Sequence, residues 1–177
     1  MSDTIRVLVT GSRYYGNLDR VREAVTDVDH AYPFPSLLLV HGRCDPRLRD
    51  AFRTRVSWDE AEEWPLAERL ELLGGDWLMG QVAAEHGWGT ESHVADWPRG
   101  KRAGFERNAL MVGLGAELVV ALTEWCGKPD CTRKKGAHLS HGTAHCMQLA
   151  DLAGIKVWKY PAAPAVTANP VSNDVLF

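Results

Sequence analysis

Short apolar runs rich in β-branched residues alternate along the chain with stretches in which apolar positions recur every three or four residues. That alternation is how a parallel sheet covered by helices is written in sequence. The first run is Ile5-Arg-Val-Leu-Val-Thr-Gly11. Asn17 then stands where an N-cap belongs, and Leu18, Val21, Val25 and Val28 follow at helical spacing. The second run, Ser36-Leu-Leu-Leu-Val-His-Gly42, is uniformly apolar, as a central strand buried on both faces should be. Further strands are expected at Thr90 to Ala95, Ala116 to Leu122 and Ile155 to Trp158. Helices are expected near 76–86, 102–114 and 143–153, the second with Leu110, Met111 and Leu114 as its buried stripe. The fold class is α/β, a parallel sheet of about five strands with helices on both faces.

Two stretches interrupt the rhythm and read as insertions. The first, about 45–73, is dense in charge yet carries Trp58, Trp64, Leu66, Leu70 and Leu73, and Ser57-Trp-Asp-Glu60 has the form of a capping box opening an extra helix. The second, about 125–140, is polar and basic and holds two cysteines and a histidine before His141. Residues 161–177 are rich in Pro and Ala, without periodicity, and read as a tail. Residues 1–160 thus form a single domain.

A chain of 177 residues with 45% hydrophobic positions can bury a proper core without staples. Its net charge of −3 and the absence of long Lys/Arg blocks argue against a duplex-DNA or anionic-membrane partner, without excluding nucleic acid altogether. The start carries no signal-peptide pattern and no apolar run approaches spanning length, so a cytoplasmic protein is expected. Four cysteines, Cys44, Cys126, Cys131 and Cys146, suit reduced thiols or metal ligands better than a disulfide framework.

In an open parallel sheet, ligands sit beyond the carboxyl ends of the strands, where helix N-termini point free N–H groups outward. The residues at those ends therefore carry the candidate chemistry. The first strand delivers Gly11, Ser12 and Arg13: a close backbone approach, a hydroxyl and a planar permanent cation. The second delivers His41 and Gly42, and Gly74-Gly75-Asp76 opens the next helix with an anion. The third is followed by Asp96, Trp97, Arg99, Lys101, Arg102, Glu106, Arg107 and Asn108. Cations at a helix start oppose its dipole unless an anion sits among them, which points to a bound phosphate or carboxylate. Gly142 and Thr143 at the last helix add backbone N–H groups and a hydroxyl. Each piece alone is also an ordinary turn or cap.

The second insertion has its own chemistry. Cys126 and Cys131, then His138 and His141, are two thiolates and two imidazoles that could close a tetrahedral Zn²⁺ site of structural type, with Cys146, His145 or Cys44 as substitute ligands.

In their order, Val-Thr-Gly-Ser-Arg13, Val-His-Gly42, Gly75-Asp76, Ala95-Asp-Trp97, Gly100-Lys-Arg-Ala-Gly104, Arg107-Asn108, Met111, Gly142-Thr143 and Ala153-Gly154-Ile155 resemble the YspA/YpsA-related branch of the SLOG superfamily, common in actinobacteria and their phages. The resemblance covers most of residues 5–160 outside the insertions. It implies a Rossmann-like fold with a pocket for a nucleotide or nucleotide-derived small molecule, in a sensor or sequestering protein, and by analogy a homodimer. Relatives of the LOG type hydrolyse N-glycosidic bonds of nucleotides, and DprA-like relatives bind single-stranded DNA. Glu106-Arg107-Asn108 resembles the enzymes' Glu-Arg-Lys motif, but Cys146 stands at the place of their catalytic Glu, and Leu139-Ser-His-Gly-Thr143 completes their Gly-Gly-x-Gly-Thr motif only in part. A thiol cannot handle a developing oxocarbenium charge as a carboxylate does. Were the chain an enzyme, Arg107, Asp76 and Glu106 would be its catalytic candidates, with Asp96 a further carboxylate.

Overall fold

A computed structural model describes residues 4–33, 36–43, 63–65, 74–100, 102–128, 131 and 137–162. Five strands, β1 (Ile5–Gly11), β2 (Leu37–His41), β3 (Gly89–Ser92), β4 (Leu118–Thr123) and β5 (Lys156–Pro161), form one parallel sheet in the order β3-β2-β1-β4-β5. Helices α1 (Leu18–Ala31), α2 (Asp76–Glu85), α3 (Ala103–Gly113) and α4 (His141–Leu152) connect them. The order reverses between β1 and β4, so the crevice beyond their carboxyl ends is the switch point of a Rossmann-like sheet.

The period of two along each strand sorts the core into two layers. Val7, Val9, Leu39, Leu118, Val120 and Leu122 pack under α1 and α2, through Val21, Val25, Val28, Leu78, Met79 and Val82. Leu8, Val40 and Val119 face the other way, against Met111 and Val112 of α3 and Cys146 and Ala150 of α4. Every residue of β4 is buried, as expected of a strand covered on both sides. Asn17 caps α1 as expected, its Oδ1 accepting from Arg20 N at 3.1 Å.

Several boundaries differ from the sequence expectation. β3 is Gly89–Ser92 rather than 90–95, because its partner β2 ends at His41, which pairs with Ser92. β5 continues past Trp158 to Pro161, whose partner is Thr123, so the first residue of the expected tail belongs to the sheet. α4 starts two residues early, at His141. On α3 the buried stripe is Asn108, Met111 and Val112 with Ala103, while Leu110 and Leu114 are 53% and 52% exposed. The helix is phased by a buried asparagine, which an apolar pattern passes over. The capping box at Ser57 to Glu60, Cys44 and residues 163–177 lie outside the described residues. Among the described residues no helix is long and apolar enough to cross a membrane.

Candidate functional site

Close contacts between backbones build the strand-end face. A Cβ on Gly74 would meet the carbonyls of Arg13 and Tyr15, at 2.5 and 2.7 Å, and one on Gly75 would run into Ser12 O. Gly75 also sits at φ +51° and donates its N–H to Tyr15 O at 3.1 Å. Two adjacent glycines thus let the start of α2 lie directly on the turn after β1. That contact carries Asp76, the first residue of α2, into the interior between β1 and β2.

Asp76 is half-buried, and its Oδ1 is shut off from solvent with no hydrogen-bond partner among the described residues. Burial raises its pKa above the ordinary carboxylate range. The charges of Arg107 and Arg13 and the backbone N–H groups of Gly11 and Gly42 oppose that rise without cancelling it. Arg107 and Arg13, far apart in sequence, therefore act on one carboxyl.

Arg107 reaches this place because Gly42 has no side chain, a Cβ there overlapping the guanidinium. Its Nη1 donates to Gly42 O and, at 3.4 Å, to His93 O, and its Nε to Asn108 Oδ1 at 2.9 Å. Asn108, buried, passes the connection on through Nδ2 to Gly142 O at 3.1 Å. A hydrogen-bonded path so runs from the end of β2 through α3 to the first turn of α4. Arg13 leans over the Trp97 ring at 5.4 Å from its centroid, and Trp97 in turn packs on Gly104 of α3 at 3.2 Å from an ideal Cβ.

The remaining expected residues fall into two groups. Ser12 and Thr143 are buried and their hydroxyls engaged, Ser12 Oγ accepting from Tyr14 N at 3.2 Å and Thr143 Oγ1 meeting Ser140 Oγ at 3.1 Å. Asp96, Arg102 and Glu106 are exposed, and Glu106 pairs with Arg99 at 3.2 Å. The turn after β1 and the start of α4 both hang on the end of β4: Ser12 N donates to Leu122 O (3.4 Å) and Ser140 N to Glu124 O (3.0 Å). Beside them opens a hollow of about 520 Å³ lined by Tyr14, Gly16, Asn17, Leu18, Asp19, Glu124 and Ala162. Sequence reasoning missed Tyr14 and Glu124. Glu124 directly follows β4, so the strand-end rule that selected Arg13 would have found it.

His41 is buried, its Nδ1 accepting from Arg43 N at 3.2 Å. Burial, aided by the charges of Arg107, Arg43 and His93, lowers its pKa to about 4. In an unfolded chain a histidine titrates near 6.5, so stability is full above that pH. Between there and about 4 the unfolded chain takes up a proton that the folded one refuses. This group alone should remove about 3 kcal/mol across that window. His41→Asn, which keeps an acceptor for Arg43 N, should flatten the profile. Urea unfolding of both proteins between pH 7 and 4 checks it, and identical slopes would refute it.

At the far side of α4's first turn, Cys126, Cys131, His138 and His141 converge with their ligand atoms all within 4.8 Å of one another. Cys131 Sγ lies 3.4 Å from Nε2 of both His138 and His141, and the two Nε2 atoms are 3.0 Å apart. A short antiparallel pairing of Trp125 with Leu139, and Cys126 N donating to His138 O at 2.7 Å, close the base of the loop. The cluster could hold a metal ion. Cys146 stands apart, fully buried beside Thr10, and burial raises its thiol to about 11. Neither it nor His145 belongs to the cluster.

Fold and site together define a doubly wound α/β protein with a strand-end crevice and an attached Cys/His centre. The chain is similar to the Gene 61 protein of Mycobacterium phage D29, 32% identical over 160 residues that span 90% of this chain and 98% of that protein. It belongs to the family of that phage protein, which supports a phage origin. No family model and no solved structure matches it.

Proposed function

We propose that the chain binds a small nucleotide-derived molecule at the carboxyl ends of its strands, as a sensor or sequestering protein of SLOG type. The observation that carries this reading is that the Gly11-Ser12-Arg13 turn and the N-cap of α4 are both tied to the end of β4, at Leu122 and at Glu124 just after it, at the switch point of the sheet. Ser140 places no side-chain cap on α4, and among the described residues nothing lies within 4 Å of where a Gly142 Cβ would be. Such a helix start suits a phosphate or carboxylate. The adjoining hollow is broadly open to solvent and borders that helix start through Glu124. Tyr14 offers a face to a base, and Glu124 offers an acceptor to sugar hydroxyls. Hydrolysis is the weaker reading, because the buried Cys146 thiol, raised to about 11, supplies neither carboxylate nor thiolate.

The expected partner, a second copy of the chain, belongs to the same proposal. So does zinc as the occupant of the Cys/His centre. Two thiolates and two imidazoles are a structural zinc donor set, and bonds of about 2.3 and 2.0–2.1 Å in a tetrahedron set S···N near 3.5 Å and N···N near 3.3 Å. The distances of 3.4 and 3.0 Å lie close to these values.

Mass spectrometry of the extract from denatured protein should reveal a co-purified nucleotide, and AMP or GMP should raise the melting temperature. A clean extract together with no shift by either nucleotide would end the proposal. Release of free base from the added nucleotide would move the chain to the hydrolases.

A further inference from the structure

His141 is both a member of the Cys/His cluster and the first residue of α4. That first turn is weakly held by its own sequence. Ser140 makes no side-chain bond to the turn's amides, its hydroxyl meeting Thr143 Oγ1 instead. Gly142 adds the freedom of a residue without a Cβ. Yet the turn anchors a good deal. Gly142 O receives the path from β2 through Arg107 and Asn108, and Ser140 N ties the turn to Glu124 at the hollow's wall. Cys131 Sγ lies 3.4 Å from both imidazole Nε2 atoms, which are 3.0 Å apart, close to the spacing of ligands around one tetrahedral ion. A metal ion would turn that arrangement into a crosslink from the loop to the helix start.

We propose that metal in the Cys126, Cys131, His138 and His141 centre latches the first turn of α4, so that metal occupancy decides whether the Gly142 and Thr143 amides are held for an anionic ligand. The consequence for binding rests on the strand-end reading above, whereas the latch itself is tested without any ligand.

Hydrogen exchange of the full chain, zinc-loaded, stripped with EDTA and reloaded, reads the latch directly. Amides from Ala144 to Met147 should exchange about tenfold faster after stripping and recover on reloading, while Val21 to Val28 of α1, on the other face of the sheet, stay unchanged. Cys126→Ser, which alters a ligand outside α4, should reproduce the stripped pattern. If that variant fails to fold, stripping and reloading the unaltered chain still decides the question. Exchange in α4 that is equal in both forms would overturn the latch. So would loss of protection throughout the chain, or protein that takes up no zinc. AMP then probes the consequence: stabilisation of the loaded form alone supports the latch, and equal stabilisation of both forms overturns it. If AMP and GMP are inert towards both forms and the extract is clean while α4 exchange still follows zinc, the nucleotide reading fails and the latch stands.

Discussion

Gly75→Ala is expected to lower the melting temperature by roughly 8–16 °C, from a loss of about 4 kcal/mol in a protein of this size. Two independent effects add at this position. At φ +51° and ψ −119° the backbone occupies a region that L side chains rarely adopt. The new methyl would also press into Ser12 O and come within 3.1 Å of Ser12 C, and both are backbone atoms that no rotamer change can move away. Relief requires separating α2 from the turn after β1. That would withdraw Asp76 from the Gly11 and Gly42 amides. Gly80 is the control, since it lies inside α2 with nothing among the described residues within 4 Å of its Cβ position. Gly80→Ala should raise stability by about 0.5–1 kcal/mol through helix propensity. Thermal unfolding of the two variants side by side checks the argument, and a Gly75→Ala protein as stable as its parent would refute the close approach.

The same contact shows how far the sequence could be read. The order of elements was legible because β4 and β2 are nearly unbroken apolar runs, and α1 shows its stripe with a cap in front. The phase of α3 was not, because a polar residue, Asn108, sits in the buried stripe as the link between Arg107 and Gly142. Periodicity counts apolar residues and has no symbol for an asparagine buried by its hydrogen bonds. The extent of β3 was hidden for another reason: a ladder ends where its partner ends, and His41 is forty-eight residues before Gly89. Chemical type was easier to read than placement. Arg13, Asp76 and Arg107 were identifiable as strand-end charges, but only the fold reveals that both cations act on one carboxyl. Likewise Thr143 stands at the helix start as expected, while its hydroxyl is spent on Ser140. The Cys/His centre was the most legible feature, since thiol and imidazole pairs at short spacing leave few alternatives.

Cys131→Ala should weaken zinc binding by at least on the order of 100-fold, more than loss of a supporting residue around a metal does. Cys131 is central to the cluster because its sulfur faces both imidazoles at 3.4 Å. With it gone, the remaining thiolate and two imidazoles leave one corner of the tetrahedron open. Most of the stability linked to the metal goes too. With free zinc at 1,000 times the dissociation constant, that linkage is about 4 kcal/mol, or roughly 8–16 °C in melting temperature. EDTA should therefore destabilise the parent protein by that amount, and Cys131→Ala by no more than about 1.4 kcal/mol, since a site weakened 100-fold stands at only about 10 times its own dissociation constant in the same zinc. Cys146→Ala supplies the contrast: it removes a buried thiol bonded to Thr10 and outside the cluster, so it should lose some stability yet keep its zinc and its response to EDTA. Metal content by elemental analysis, read together with the two melting curves, separates the outcomes. A Cys131→Ala protein that binds zinc as its parent does, or a parent indifferent to EDTA, would mean that the four side chains meet for packing rather than for a metal.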